Sequence, residues 1–204
     1  MRKAFRILLF LLVAQVAYAQ TPVRIACGQD KPYTDASGNT WAADSGYNIG
    51  SPGINWPRTF STTHLIAGAP DPTIFQHERW SLNDNPALVY TILVPSGAWT
   101  LNLYFSENYY TAVGQRIFNV KVNGYPFLTN FDIFAMAGAQ FTANVQSAIL
   151  ISTGTVTIEF DHLSPAVDNP KINAIELLPI TTGESVLSAK KKVKTSGDKS
   201  HGTR

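Results

Sequence analysis

The sequence predicts an all-β protein, an antiparallel β-sandwich of jelly-roll type with long ligand-binding loops and at most one short helical turn. Segments of alternating apolar and polar residues recur along the chain, each about as long as a strand. Turn residues separate these segments, and the chain contains 14 glycines and 12 prolines. Helical periodicity is nearly absent. A closed barrel is the alternative arrangement for such strands.

Residues 1–19 have the pattern of a secretory signal peptide. Three basic residues within the first six positions precede an apolar run at residues 7–16, and Ala17-Tyr18-Ala19 forms an A-x-A cleavage site. The run is shorter than the roughly twenty apolar residues that a membrane-spanning helix needs. The sequence therefore predicts export to a secreted, extracytoplasmic location, without a membrane span or a retention signal.

The rest of the chain divides into a domain over residues 20–180 and a basic, disordered tail over residues 181–204. Lysines concentrate in the tail, so the domain is mildly acidic although the whole chain carries a net charge of +2. A mildly acidic domain argues against nucleic-acid binding. The tail is a candidate contact for a protein partner, or it is solvated and has no partner.

The first predicted strand covers residues 23–27 and places Cys27 on its apolar face. Because Cys27 is the single cysteine, we interpret it as a small buried side chain and expect no intramolecular disulfide. Residues 51–69 are irregular and allow no assignment. Residues 71–81 indicate a short strand or an extended segment.

Further along, residues 88–94 and 99–105 alternate on either side of a Pro-Ser-Gly turn, which predicts a hairpin. Asn123-Gly124 is suited to a type I′ hairpin turn. Asp132 is placed to cap a single helical turn that stops at Gly138. Other strands are predicted at residues 118–122, 143–152, 155–161 and 171–178.

The loop between two of these strands has a composition that suits sugar binding. It begins Glu107-Asn108-Tyr109-Tyr110, and two adjacent tyrosines cannot both face the core by simple alternation, so at least one ring is expected to face outward. A pyranose has an apolar face for such a ring and hydroxyls for Glu107 and Asn108. Core-edge tyrosines with bonded hydroxyls are the alternative interpretation.

Sequence patterns for catalysis and for cofactors are absent. The chain lacks a G-x-S-x-G elbow, a P-loop, a dinucleotide fingerprint and an H-E-x-x-H pair, so we expect no cofactor and no catalytic metal. Glycoside hydrolysis needs two carboxylates at a set separation, and a pair such as Glu107 and Asp168 would meet this requirement, so a glycosidase remains the alternative. Asp30, Asp35 and Asp44 would suit a structural calcium or simple solvation.

Six segments, in this order, resemble the malectin family of carbohydrate-binding domains over residues 23–179. They are residues 39–47, which end in Asp44-Ser45-Gly46-Tyr47; residues 75–80, which end in Glu78-Arg79-Trp80; residues 107–110; residues 114–120, which begin with Gly114-Gln115-Arg116; residues 131–134; and residues 168–172, which begin with Asp168-Asn169-Pro170. The resemblance implies a non-catalytic β-sandwich whose loops bind glucose-containing, α-linked oligosaccharides. It also implies the binding residues, which are Tyr47, Trp80, Tyr109, Tyr110 and Asp168.

Two features of the chain differ from the family pattern. Trp80 stands where the family has tyrosine, and residues 51–64 have no counterpart, so this stretch would either add to the sugar site or block it. An extracellular protein-interaction or adhesion module, using the same loops or the basic tail, is the alternative function. The partner is therefore a glucose-containing oligosaccharide or polysaccharide, or else a protein.

Overall fold

A computed structural model describes residues 20–48, 58–82 and 86–180. The predicted signal peptide and tail lie outside these residues. The described chain forms thirteen strands and two short helices, which are β1 (Val23–Ala26), β2 (Tyr33–Thr34), β3 (Thr40–Ala43), β4 (Arg58–Ser61), α1 (Thr73–Gln76), β5 (His77–Trp80), β6 (Leu88–Leu93), β7 (Gly97–Phe105), β8 (Ile117–Val122), β9 (Tyr125–Phe131), α2 (Ile133–Ala137), β10 (Asn144–Ser152), β11 (Thr155–Val167), β12 (Lys171–Ile172) and β13 (Ala174–Pro179).

These strands form three sheets. The largest has six strands in the order β10-β7-β13-β1-β3-β2, the second has four in the order β6-β11-β8-β9, and the smallest has three in the order β12-β5-β4. Pairing is antiparallel apart from the contact between β1 and β3. Within the described residues the two larger sheets remain separate, so the fold is the predicted sandwich and not a closed barrel.

The main core lies between the two larger sheets. Alternate residues of β7 point inward, and Trp99, Leu101, Leu103 and Phe105 are fully buried. They pack against the inner faces of β6, β8 and β11, where Val156, Ile158 and Phe160 are also buried. The alternation of apolar and polar residues with a period of two therefore identifies the side chains that form this core.

A smaller apolar cluster covers the outer face of the six-stranded sheet. Helix α1 brings Ile74 and Phe75 against Trp41, and Tyr104 packs on both aromatic rings. Cys27 is buried, as predicted, in the main core. No helix within residues 20–48, 58–82 and 86–180 is long and apolar enough to cross a membrane.

The predicted hairpin of residues 88–94 and 99–105 is wrong. β6 pairs with β11 in the four-stranded sheet, whereas β7 pairs with β10 and β13 in the six-stranded sheet. The short segment between Leu93 and Gly97 carries the chain from one sheet to the other, and Gly97, with a φ of 147°, begins β7. Alternation identifies the buried face of a strand, but it does not identify the sheet to which the strand belongs.

Two further expectations need correction and two are confirmed. Residues 71–81 contain α1 before β5, so the domain has two helical turns instead of one, and the unassigned stretch at 51–69 contains β4. The Asn123-Gly124 turn joins β8 to β9 with positive φ at both residues. Asp132 caps α2 through the amide of Ala135, and Gly138 ends that helix in the left-handed conformation.

Candidate functional site

A cavity of about 300 Å³ opens on one face of the three-stranded sheet. Its walls combine aromatic rings with charged and amide groups, namely Phe60, Glu78, Trp80, Tyr109, Tyr110, Arg116, Asp168 and Asn169. Strand register explains the part that comes from the sheet. Phe60 pairs with Glu78 across β4 and β5, so alternation places these two side chains and Trp80 on the same face.

The rim of the cavity is aromatic. Tyr109 is 64% exposed and meets Tyr110 edge to face, with ring centroids 5.0 Å apart. Phe60, which is 37% exposed, lies 6.4 Å from Tyr109 in a perpendicular arrangement. The guanidinium of Arg58 lies 5.8 Å from the ring centroid of Trp80 on the opposite wall. Exposed rings from two elements therefore face one opening.

Glu107 holds in place the loop that carries Tyr109 and Tyr110, called the tyrosine loop below. Its Oε1 accepts hydrogen bonds from the backbone amides of Tyr109 and Tyr110, both at 3.0 Å, and its Oε2 lies 2.8 Å from Nε of Arg116. Burial alone would raise the pKa of Glu107, but Lys171, Arg116 and the two amides outweigh burial and lower it. The carboxylate is thus held ionised and positions the loop.

Arg116 links this loop to the segment after β11. Its Nη1 donates to the carbonyl oxygen of Asn169 at 2.6 Å and lies 3.0 Å from Oδ2 of Asp168. Asp168 has a φ of 57°, a left-handed conformation that non-glycine residues seldom adopt, and its side chain is 22% exposed. Burial and the charge of Asp168 raise the pKa of the Tyr110 hydroxyl, which keeps it protonated. The carboxylate of Asp168 is therefore oriented towards the cavity by its neighbours.

A buried ion pair supports the cavity floor. Lys171 is fully buried, and its Nζ contacts both the carboxylate of Glu78 and the carbonyl oxygen of Ser106. Desolvation lowers the pKa of Lys171, and the nearby carboxylates only partly offset this effect. Nδ2 of Asn108 also donates to Glu78, at 3.1 Å. β5, β12 and the tyrosine loop are joined at this point.

Comparison with known proteins gives the family. Residues 21–175 match the family described as "Malectin domain". The chain belongs to the malectin family. It is 31% identical over 179 residues to Receptor-like protein 4 of Arabidopsis thaliana, a match that covers 81% of this chain and 28% of that protein. It is 27% identical to Malectin-A of Xenopus laevis, a match that covers 59% of this chain and 47% of that protein.

A solved structure agrees with the fold. The extracellular domain of ANXUR2 from Arabidopsis thaliana superposes with a TM-score of 0.66 at 16% identity, over 80% of this chain and 49% of that one. The chain thus spans between about a quarter and a half of the length of the curated relatives above. The malectin assignment supports a carbohydrate-binding or extracellular interaction module.

The structure brings four of the five predicted malectin site residues together. Trp80, Tyr109, Tyr110 and Asp168 border the same cavity. Tyr47 does not border it. Its ring lies 3.9 Å from the guanidinium of Arg79 and edge-on to Tyr90, within a second, polar cavity of about 520 Å³.

Sheet alternation explains this separation. The second cavity is bordered by Thr59, His77 and Arg79, whose side chains lie on the opposite face of β4 and β5 from Phe60 and Trp80. The resemblance aligned Tyr47 with the site by its local sequence. It carried no information about which face of this sheet the side chain would meet.

Sequence analysis did not assign four residues of the cavity to the site, namely Phe60, Glu78, Arg116 and Asn169. Phe60 comes from the stretch that allowed no assignment, and the alternation of only four residues in β4 is too short to reveal it. Arg116 was within a matching segment, but its role required knowing that Glu107 and Asp168 are its partners. Glu107 and Asn108, expected to contact hydroxyls, are only 1% and 4% exposed and serve as supports.

The three aspartates considered for calcium are engaged separately. Asp35 accepts hydrogen bonds within its own turn and from Trp41, while Asp44 pairs with Arg79 at 2.6 Å. Asp30 borders the second cavity. In the described part of the chain no group of three or more His, Cys, Asp or Glu residues is arranged to hold a metal ion.

Proposed function

We propose that this malectin domain is a secreted, non-catalytic, lectin-like module that binds glucose-containing oligosaccharides in the cavity beside Trp80. The observation that carries the proposal is the meeting of exposed aromatic rings and one oriented carboxylate at a single opening. A volume of about 300 Å³ is at the lower end for small-molecule sites, which suits one or two sugar rings.

The aromatic groups supply the apolar half of sugar recognition. One face of a pyranose carries mainly C–H groups, and burying it against the ring of Trp80, Tyr109 or Phe60 removes apolar surface from water. Edge-to-face contacts already hold the rings of Phe60 and Tyr109, and Arg58 lies against the ring of Trp80, so binding requires little ordering. We therefore expect stacking to provide most of the affinity.

Polar groups supply orientation. The carboxylate of Asp168 accepts hydrogen bonds from sugar hydroxyls, and such charge-assisted bonds are stronger than neutral ones. Its fixed contact with Arg116 limits which hydroxyls it reaches. The preference for α-linked glucose follows from the resemblance to the family. A shallow site of this kind gives dissociation constants from micromolar to millimolar, about −4 to −8 kcal/mol.

The state of Glu107 supports a binding role over hydrolysis. A glycosidase needs one carboxyl group to donate a proton and another to act as base or nucleophile beside the sugar. Both oxygens of Glu107 are occupied by Arg116 and by backbone amides, beneath the surface of the cavity. The pair of Glu107 and Asp168 therefore does not suit this chemistry.

Calorimetric titration with maltose, nigerose and cellobiose tests the proposal. We expect saturable binding with the α-linked sugars preferred, and loss of binding in Trp80→Ala and Tyr109→Ala with the thermal midpoint nearly unchanged. Tyr125→Ala is the matched control, because Tyr125 is 76% exposed and lies outside the cavity. Unchanged affinity in both cavity variants would refute this site.

A protein-interaction or adhesion module is the second candidate. The observation that favours it is the 31% identity to a protein named as receptor-like, together with the similarity in fold to the extracellular domain of ANXUR2. Removing residues 181–204 distinguishes the contact surface. Loss of a captured partner with sugar binding intact would assign the interaction to the tail.

A further inference from the structure

Arg116 is buried, yet it also borders the cavity. The residue is 6% exposed, and three oxygens contact its guanidinium group: Glu107 at 2.8 Å from Nε, and the carbonyl oxygen of Asn169 at 2.6 Å and Asp168 at 3.0 Å from Nη1. The guanidinium carbon also lies 5.2 Å from the ring centroid of Tyr110. Nε donates a hydrogen bond to Glu107 and Nη1 donates one to the carbonyl oxygen of Asn169, whereas the contact with Asp168 is an ion pair. The two N–H groups of Nη2 take part in none of these contacts.

Nη2 is the one nitrogen of this guanidinium without a protein acceptor. Among the described residues, none accepts a hydrogen bond from it. Nη2 is also not among the described buried polar atoms that lack a partner, so it keeps some exposed surface, and Arg116 borders the cavity. A rigid cationic donor therefore faces the position where a ligand would lie.

We propose that Nη2 of Arg116 contacts the ligand directly and donates a hydrogen bond to an oxygen of the bound sugar. This inference rests on the proposed function of the cavity. It gives Arg116 a role in specificity in addition to its role in holding Asp168 and the tyrosine loop. Lysine could not replace it, because one ammonium group cannot contact Glu107, Asp168, Asn169 and a ligand together.

The geometry also defines the class of sugar. An arginine binds a carboxylate best through two neighbouring nitrogens, but Nε and Nη1 are already occupied, so neither edge of the guanidinium group is free for a bidentate contact. The carboxylates of Glu78 and Asp168 also border the cavity, and they already neutralise Lys171 and Arg116, so neither cation is left unpaired for an anionic ligand. The site consequently selects a neutral sugar over a uronic acid.

Asp168 and Arg116 together recognise two neighbouring sugar oxygens. Oδ2 of Asp168 lies 3.0 Å from Nη1, on the group that carries the free Nη2 donor. The acceptor and the donor are thus side by side. A vicinal diol matches this arrangement when one hydroxyl donates to Asp168 and the adjacent oxygen accepts from Arg116.

A thermodynamic cycle, with one change in the protein and one in the sugar, tests the contact between Arg116 and the sugar oxygen. Titrations of the wild-type protein and of Arg116→Lys use maltose and its monodeoxy derivatives. In the wild type, we expect removal of the oxygen that Arg116 contacts to weaken binding about tenfold. In Arg116→Lys, maltose itself should bind about tenfold more weakly, while removal of that same oxygen should have almost no further effect.

Arg58→Lys is the matched control, because Arg58 borders the aromatic wall through Trp80 but contributes no contact to Asp168. It should keep the wild-type pattern across the deoxy sugars. A uniform loss for every sugar in Arg116→Lys would mean that Arg116 only positions its neighbours, which would overturn the inference while leaving the proposed function intact. Binding of glucuronic acid in preference to glucose would overturn the choice of a neutral ligand. Absence of binding by the wild type to any sugar would overturn both proposals.

Discussion

Replacing Lys171 with methionine should destabilise the domain strongly, because this change leaves a buried charge without its partner. Lys171 is fully buried and Glu78 is 3% exposed. Removing one member of a buried ion pair costs about 3–5 kcal/mol, since the remaining charge has neither water nor a counterion. For a domain of this size, that loss corresponds to a decrease of about 10 °C in the thermal midpoint.

Urea unfolding, followed by tryptophan fluorescence, measures this free energy. Lys31→Met is the matched control, because Lys31 is exposed and its removal leaves no buried carboxylate among the described residues without its ion-pair partner. That change should cost less than about 1 kcal/mol. Combining Lys171→Met with Glu78→Gln should recover about 1–3 kcal/mol. Equal losses in Lys171→Met and in the control would refute the reasoning.

Three further changes test separate parts of the site. Phe60→Ala should weaken maltose binding about threefold to tenfold in calorimetry, because a stacking surface is lost, whereas Leu65→Ala, at an 83% exposed position outside the cavity, should not. Tyr47→Ala should leave the dissociation constant within about twofold and lower the free energy of unfolding by about 1 kcal/mol through the lost contact with Arg79. Glu107→Gln should be less stable than the wild type at pH 7, and urea unfolding should show this difference shrinking below about pH 4.

The acid dependence follows from the lowered pKa of Glu107. A carboxyl group with a folded-state pKa below its unfolded value stabilises the fold above that unfolded value, about 4.3 for glutamate. The stabilisation is lost as the pH falls through the folded-state pKa. A difference between Glu107→Gln and the wild type that stayed constant from pH 7 to pH 3 would contradict this assignment. A tenfold weaker affinity in Tyr47→Ala would mean that the ligand also contacts the cavity on the other face of the sheet.

Local features of the fold were predictable from the sequence because their causes are local. Alternation identified the inward face of β7, and Asn123-Gly124 identified the turn between β8 and β9. Asp132 and Gly138 defined the ends of α2 through hydrogen bonds within one turn. Sheet membership was not predictable in the same way, because it depends on partners distant in the chain, and the wrong hairpin of residues 88–94 and 99–105 shows this limit.

The same distinction holds at the site. Trp80, Tyr109, Tyr110 and Asp168, which border one cavity, were predicted from motifs in the order of the family, although Trp80 replaces the tyrosine of the family. Phe60 and the partners of Arg116 depend on register and on long-range ion pairs that no local pattern contains. Tyr47 matched its motif, yet it lies beside Arg79, whose side chain is on one face of β5. Trp80, the next residue of β5, is on the opposite face and borders the proposed site.

The most direct test of the central claim is a nitrogen-15 NMR titration of the tryptophan-labelled protein with maltose. The chain has four tryptophans, and the indole signal of Trp80 is assigned by its absence in Trp80→Phe. We predict a saturable shift of that signal, while the signals of the buried Trp41 and Trp99 stay in place. Saturable binding that leaves the Trp80 signal unmoved would contradict this account of the site.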